Sequence, residues 1–365
     1  MRLSPTLSTY IGRQFVFWVL GTFAAIMAIV FLLDLIELLR RGSGKDGAHF
    51  GVLVEMAALK LPNMGQQILP FAVLFGSMLA FTRLTRTNEL VVARAAGISV
   101  WQFLMPAIAV ALLLGALKVG VVNPISSVMT ARFNVLEDTI LRNRVDSFMT
   151  VGQGGLWIRE RTESGQHVVH ALAARQNDAE LANVLVIRFG HNDEFLERID
   201  ARTARLGAGY WELHDTVVTS VKGRPDQRGS IRIPTRLTIQ NIQDSFASPE
   251  TMSFWELPGF IRILENAGFS AVKHRLYWHA LLASPLLLIA MVLIAATFSL
   301  RLTRRGGTLL WASSGLFTGF LLYFMSDIVF ALGLSARIPE VLAAWTPATV
   351  TMLLGLTSLL HLEDG

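Results

Sequence analysis

Of the 365 residues, 52% are hydrophobic and only 16% charged, with a mean hydropathy of +0.49. That balance excludes an ordinary soluble domain and makes the chain an integral membrane protein. Lys and Arg number 32 against 27 acidic residues; around membrane spans such an excess belongs to flanking loops and implies no nucleic-acid partner. The absence of cysteine excludes disulfides, thiol catalysis and thiolate metal sites.

The first predicted span covers residues 15–39, behind Arg2 and Arg13. It is too long, and too acidic at its end, for a cleaved signal peptide, and is expected to be retained. Residues 51–84 are apolar but carry Pro62 and Pro70, with Asn63, Gln66 and Gln67 between them, which predicts a re-entrant or kinked entry followed by the second span. Residues 83–99 are the charged interruption between two strongly apolar segments, and they predict a short amphipathic helix. Asn88 suits the N-cap, Glu89 the first helical position where the dipole favours a carboxylate, and Gly97 the stop. Leu90, Val91, Ala95 and Ile98 follow helical spacing, leaving Glu89 and Arg94 for another surface. Such a segment is either an ordinary charged loop or a helix offered to a soluble partner. The third span is residues 98–122, and Asn123-Pro124 marks its expected end.

Between about 125 and 247 charges become frequent. Short alternating runs at 155–161, 167–173, 184–189, 202–206, 211–221 and 231–239 are separated by Gly-, Ser- and Asp-containing turns, the pattern of an all-β domain of sandwich or jelly-roll type. A linking helix follows in which Ser253 and Glu256 have capping-box spacing and Leu257, Phe260, Ile261 and Leu264 form one apolar stripe, stopping at Gly268. Three further spans are predicted at 276–300, 308–334 and 339–360. The expected fold class is thus an α-helical membrane protein with six transmembrane helices plus an extracytoplasmic all-β, jelly-roll-like domain. Its expected divisions are 1–124 (three spans, with the short helix at about 86–97), 125–247 (the β domain), 248–272 (the linking helix) and 273–365 (three spans).

Short-loop charge orients the chain. Arg2, Arg13, Arg83, Arg86, Arg94, Arg301, Arg304 and Arg305 fall on one side, against Arg40, Arg41, Lys45 and Arg337 on the other. The first side is expected to be cytoplasmic, with both termini and the 83–99 helix, and the β domain lies across the membrane.

Several motifs fail on inspection. Gly42-Ser43-Gly44-Lys45 is similar to a phosphate loop, but it lacks the leading Gly, has Asp46 where Ser or Thr belongs, and follows a span instead of a strand. Gly152-Gln153-Gly154-Gly155 lacks the helix and spacing of a dinucleotide site. No HExxH, GxSxG or paired-His metal spacing occurs, so no catalytic or metal-binding residue is assigned. Charges in or beside spans are more informative, since they are costly and usually face a cavity or a partner. Asp34 and Asp327 are intramembrane polar candidates, with a functional or helix-pairing role placed first for Asp327. Lys118 is expected to snorkel to the interface and Glu37 to reach water. Arg40 and Arg41 are either ordinary flanking charges or a bidentate site for an anionic lipid headgroup.

The order of three spans, β domain and three spans, with NELVVARAAGIS after the second span, QGGLW entering the β domain and SFWELPGFIRILENAG leading to a Pro285-containing span, resembles the LptF/LptG permease family, most closely its LptG branch. The resemblance covers nearly the whole chain. It implies an LptF-like heterodimer partner, two copies of an LptB-like cytoplasmic ATPase, an LptC-like single-span protein, and lipopolysaccharide taken from the inner membrane to a periplasmic bridge of jelly rolls. By the same resemblance residues 88–96 are the coupling helix inserted into the ATPase, with Glu89, Leu90, Arg94 and Gly97 as its coupling residues, and Arg40 and Arg41 are a basic pair at the cavity mouth that binds substrate. Asp34 is a departure, standing where members of the family can carry a further basic residue. No cofactor is expected in this chain; ATP and magnesium belong to the partner ATPase. Two alternatives stand beside lipid export: an ATPase-coupled mechanotransmitter that regulates a periplasmic partner without moving lipid, and a secondary transporter, for which no inverted repeat is evident.

Overall fold

The computed structural model describes residues 5–45, 47–142, 147–152, 155–162, 165–175, 180–190, 194–220, 223–235, 248–266, 269–300 and 308–363. Arg2, Asp46, Arg301, Arg304, Arg305, most of the 190–193 turn, residues 236–239 and Gly268 lie outside them. The chain divides into two compact units: Met1–Asn134 with Arg275–Gly365, and Val135–His274.

The helical unit is built on six helices long and apolar enough to cross a membrane. In chain order its helices are α1 (Pro5–Gly42), α2 (Phe50–Arg86), the short α3 (Glu89–Ala95), α4 (Val100–Leu117) and α5 (Asn123–Leu136). After the β unit and its α6 (Leu257–Asn266) come α7 (Val272–Ser299), α8 (Thr308–Leu334) and α9 (Glu340–Glu363). Helix α2 runs unbroken through Pro62 and Pro70, so the expected re-entrant entry is a single continuous helix. A proline inside a span costs one i−4 hydrogen bond and is tolerated where the surrounding helices pack around it. The third span also runs past its expected end: α4 passes through a π-helical turn, Lys118–Val122, directly into α5. Pro124 lies inside this continuous run, two residues after the π-helical turn, and the first strand accordingly begins at Ser147.

Helix α7 is the centre of this unit, with 67% of its most apolar window buried against 6% for α1. Small residues let backbones approach: a Cβ on Gly76 of α2 would stand 2.5 Å from the Val19 Cα of α1, and one on Gly115 of α4 2.5 Å from the Pro285 Cα of α7. Phe15, Val19, Phe81, Leu104 and Leu288 lie in the shared core.

The second unit holds a seven-stranded antiparallel sheet in the order β1-β2-β3-β4-β5-β6-β7, with strands Ser147–Gly152, Gly155–Thr162, Gly165–Arg175, Glu180–Phe189, Phe195–Leu206, Tyr210–Ser220 and Asp226–Pro234. The all-β expectation holds. Short hairpins join consecutive strands, so the described connectivity is a meander, and no pairing between non-consecutive strands of the kind a jelly roll has occurs among the described residues. Asn183 and Asp215 take positive φ and drop out of the pairing with both neighbouring strands, while the register on either side of them is unchanged. Leu181 and Val184, and likewise Leu213 and Thr216, therefore face the same interior despite their odd spacing. The sheet buries one apolar face: Leu156, Ile158, Val186, Ile199 and Leu213 are at most 1% exposed. Within the same unit Ser253 and Glu256 close a reciprocal capping box, and Leu257, Ile261 and Leu264 are the buried stripe of α6.

Candidate functional site

The loop between α2 and α4 folds as a closed unit. Asn88 occupies the N-cap of α3 in the left-handed region, φ 58°, without a side-chain cap; an asparagine tolerates that conformation. At the other end Gly97, φ +83°, stops the helix: the Gly97 N–H bonds to Arg94 O at 2.9 Å and the Ile98 N–H to Ala93 O at 3.1 Å, the paired bonds of a Schellman motif. Ser99 and Gln102 then form the capping box of α4.

The side of α3 that packs inward differs from the one its spacing suggested. Leu90 and Ala93 enter the core cluster beside Phe81, Leu84 and Leu300, whereas Val91, Val92, Arg94 and Ala95 are exposed. The helix is too short to bury more than two positions, and these are three apart on one face. Glu89 is held within the chain. Its Oε1 accepts from Thr87 Oγ1 at 2.8 Å and from Tyr10 Oη at 3.3 Å, so α1 and the loop between α2 and α4 meet at this carboxylate.

At the opposite ends of the spans the basic candidates come with acids. Arg40 and Arg41 close α1, where the dipole favours cations, and Arg40 forms a 2.8 Å ion pair with Glu37. Asp34 faces inward, its side chain 10% exposed, and pairs with Lys60 of α2, whose ammonium also stands 5.2 Å from the centre of the Phe133 ring. Arg132 of α5 pairs with Glu55 of α2 at 2.5 Å. Lys60, Glu55 and Arg132 went unnoticed in the sequence; a lysine in an otherwise apolar stretch, opposite in sign to Asp34, was the available signal. Asp327 of α8 is exposed, one turn from Tyr323, and the structure does not bring it to Asp34 or to the arginines. Gly42-Ser43-Gly44-Lys45 forms a turn with Lys45 N donating to Gly42 O at 3.1 Å.

These features together describe a six-span chain carrying a short helix between its second and third spans. The family sequence model described as lipopolysaccharide export system permease LptF/LptG matches residues 9–361. The lipopolysaccharide export system permease protein LptG of Escherichia coli K12 is 22% identical over 97% of this chain and 98% of its own length. Its counterpart in Haemophilus influenzae Rd is 23% identical over 94% and 95%. With the family matched from the first span to the last, the chain belongs to the LptF/LptG family of lipopolysaccharide export system permeases.

Proposed function

We propose that this chain is the permease subunit of an ATP-driven exporter that extracts lipopolysaccharide from the bacterial inner membrane and passes it to a periplasmic bridge. The observation that carries the reading is the outer face of α3: Val91 and Val92 are 40% and 67% exposed on a helix anchored by Leu90 and Ala93. An apolar face on a rigid short helix suits the groove of a soluble protein. In this reading two LptB-like ATPases, holding ATP and magnesium, move the bundle through α3, and this chain is non-catalytic. Both termini and α3 are cytoplasmic and the β unit is periplasmic.

The rest of the assembly follows from faces left uncovered. Phe17, Ile29, Leu33 and Ile36 on α1 and Phe317, Phe320 and Phe324 on α8 are exposed, as is Asp327. A carboxylate in a span calls for a cavity or a second subunit, which an LptF-like permease supplies, with an LptC-like single-span protein beside it. Acyl chains lie against the apolar walls, Arg40 and Arg41 meet phosphates, and the terminal strands of the sheet offer edges to the next β domain.

The test is reconstitution of the complex in proteoliposomes with lipopolysaccharide, the ATPase and a periplasmic acceptor. Val92→Asp is expected to cut ATPase co-purification and ATP-dependent transfer about tenfold, since it places a carboxylate in a desolvated contact. Transfer at the wild-type rate with the ATPase retained overturns the reading. An unchanged ATPase contact with no lipid moved by the wild-type complex points to the mechanotransmitter instead.

A further inference from the structure

Inside the helical unit, between α1, α2 and the π-helical turn after α4, lies a cavity of about 440 Å³. Its walls are almost wholly apolar, with Phe23 and Met27 from α1, Leu61 from α2 and Leu117 from α4. Two polar side chains also line it, Gln66 and Lys118. Gln66 is 6% exposed, and both its Nε2 and its Oε1 are buried with no hydrogen-bond partner. Inside a span no bulk water is at hand to satisfy them. Pro70, four residues on, has no N–H to give the Gln66 carbonyl.

Lys118 was expected to snorkel to the interface; instead it lines this cavity, and no acidic side chain lies within ion-pair distance of it among the described residues. It opens the π-helical turn Lys118–Val122, an irregularity that recurs at functional sites because it re-aims a side chain. Gly65 keeps the opposite wall back: a Cβ there would stand 3.2 Å from Phe23 Cζ.

We propose that this cavity binds one acyl chain bearing an acidic head, the chain lying along Phe23, Met27, Leu61 and Leu117 while the head accepts hydrogen bonds from Lys118 Nζ and Gln66 Nε2. A volume of this size is in the range of ligand sites, roughly 300–1,000 Å³. A half-buried ammonium and an unpaired amide donor together select an anion over a neutral head. The site lies within one subunit and apart from Arg40, Arg41 and the outward aromatic face of α8, so it does not rest on the export reading. A free fatty acid and an anionic phospholipid offer the same chemistry.

The test uses the full-length protein in its native complex, delipidated and placed in nanodiscs, with two photoreactive probes: a diazirine fatty acid and a phosphatidylglycerol carrying the same diazirine chain. Labelling is expected on residues 61–69 and 114–122, and it is displaced by the unlabelled form of the same probe. The probe that labels there identifies the source. Lys118→Met is expected to weaken labelling about tenfold and Gln66→Leu about threefold, the worth of a charge-assisted and of a neutral hydrogen bond. Leu117→Trp, which fills the cavity, abolishes it, while Leu112→Trp, exposed on the side of α4 turned away from the cavity-lining Leu114 and Leu117, leaves it unchanged. Labelling of wild type that no competitor displaces, or that spreads along the exposed face of α4, means bulk lipid only and overturns the proposal. So does labelling that Lys118→Met leaves at the wild-type level.

Discussion

The Tyr10 hydroxyl of α1 donates to the Glu89 carboxylate at the start of α3 across 3.3 Å, tying the first span to the short helix between the second and third. Thr87 holds the same oxygen, so the carboxylate is positioned before any partner arrives. If Glu89 meets a basic group on the ATPase, its reversal leaves that group repelled. Glu89→Lys is expected to weaken ATPase co-purification at least about tenfold, or to uncouple hydrolysis from transfer. Tyr10→Phe, which keeps the charge, costs much less, and Arg86→Lys does little. Normal stoichiometry and normal transfer with Glu89→Lys would return this helix to the status of an ordinary loop.

Arg40 is already engaged by Glu37, which sets a graded expectation for lipid binding at the mouth of the first span. Replacing both Arg40 and Arg41 by Glu should lower lipopolysaccharide photocrosslinking at neighbouring positions about tenfold, because charge-assisted contacts become repulsive, with assembly intact. Glu37→Gln frees Arg40 and should hold or raise the signal. Equal crosslinking in all three proteins would mark the pair as charges placed only by the helix dipole.

Asp34 and Lys60 form an ion pair inside the helical unit, and removing one partner strands the other. Asp34→Leu or Lys60→Leu alone is expected to destabilise the bundle by about 3 kcal/mol, whereas the double replacement recovers most of the loss. Reversible unfolding in detergent measures all three. Additive losses would show that the two charges act independently.

His167 is 2% exposed and faces Glu160 across β2 and β3. Burial holds its pKa below the ordinary value, with Arg188 acting in the same direction and Glu160 and a hydrogen bond to the Pro234 backbone opposing. The unfolded chain therefore takes up a proton before the folded sheet does. Its contribution to stability is complete above about pH 6.5 and declines as the pH falls below that value. Hydrogen exchange of full-length protein, corrected for intrinsic rates, should show protection in β2 and β3 dropping from pH 7.5 to 5.5, and His167→Gln should flatten the drop. Equal pH dependence in the two proteins would remove His167 from this role.

Orientation is open to a direct test. A reporter inserted at the turn of Gly207 to Gly209 should be active only in the periplasm, and one placed after His361 only in the cytoplasm. The opposite pattern would invert the topology drawn from the arginines.

Spans, β block and linking helix were legible in the chain because their signals are local: transfer cost accumulates residue by residue along a span, and Gly97 or the Ser253–Glu256 box satisfies backbone groups a few positions away. Tertiary structure decided everything that depends on which distant segment lies opposite. Spacing could not tell that α3 turns Leu90 and Ala93 inward and Val91 and Val92 outward, since both sets are apolar and only the packed bundle chooses. Pro62 and Pro70 looked like breaks, yet α2 runs through both within the packed bundle. Asp34 looked like a lone intramembrane acid until Lys60 stood beside it. Gln66 and Lys118, 52 positions apart, share one apolar cavity only once α2 packs against the π-helical turn after α4. A buried polar group acquires its meaning from what surrounds it, and that surrounding is a product of the fold.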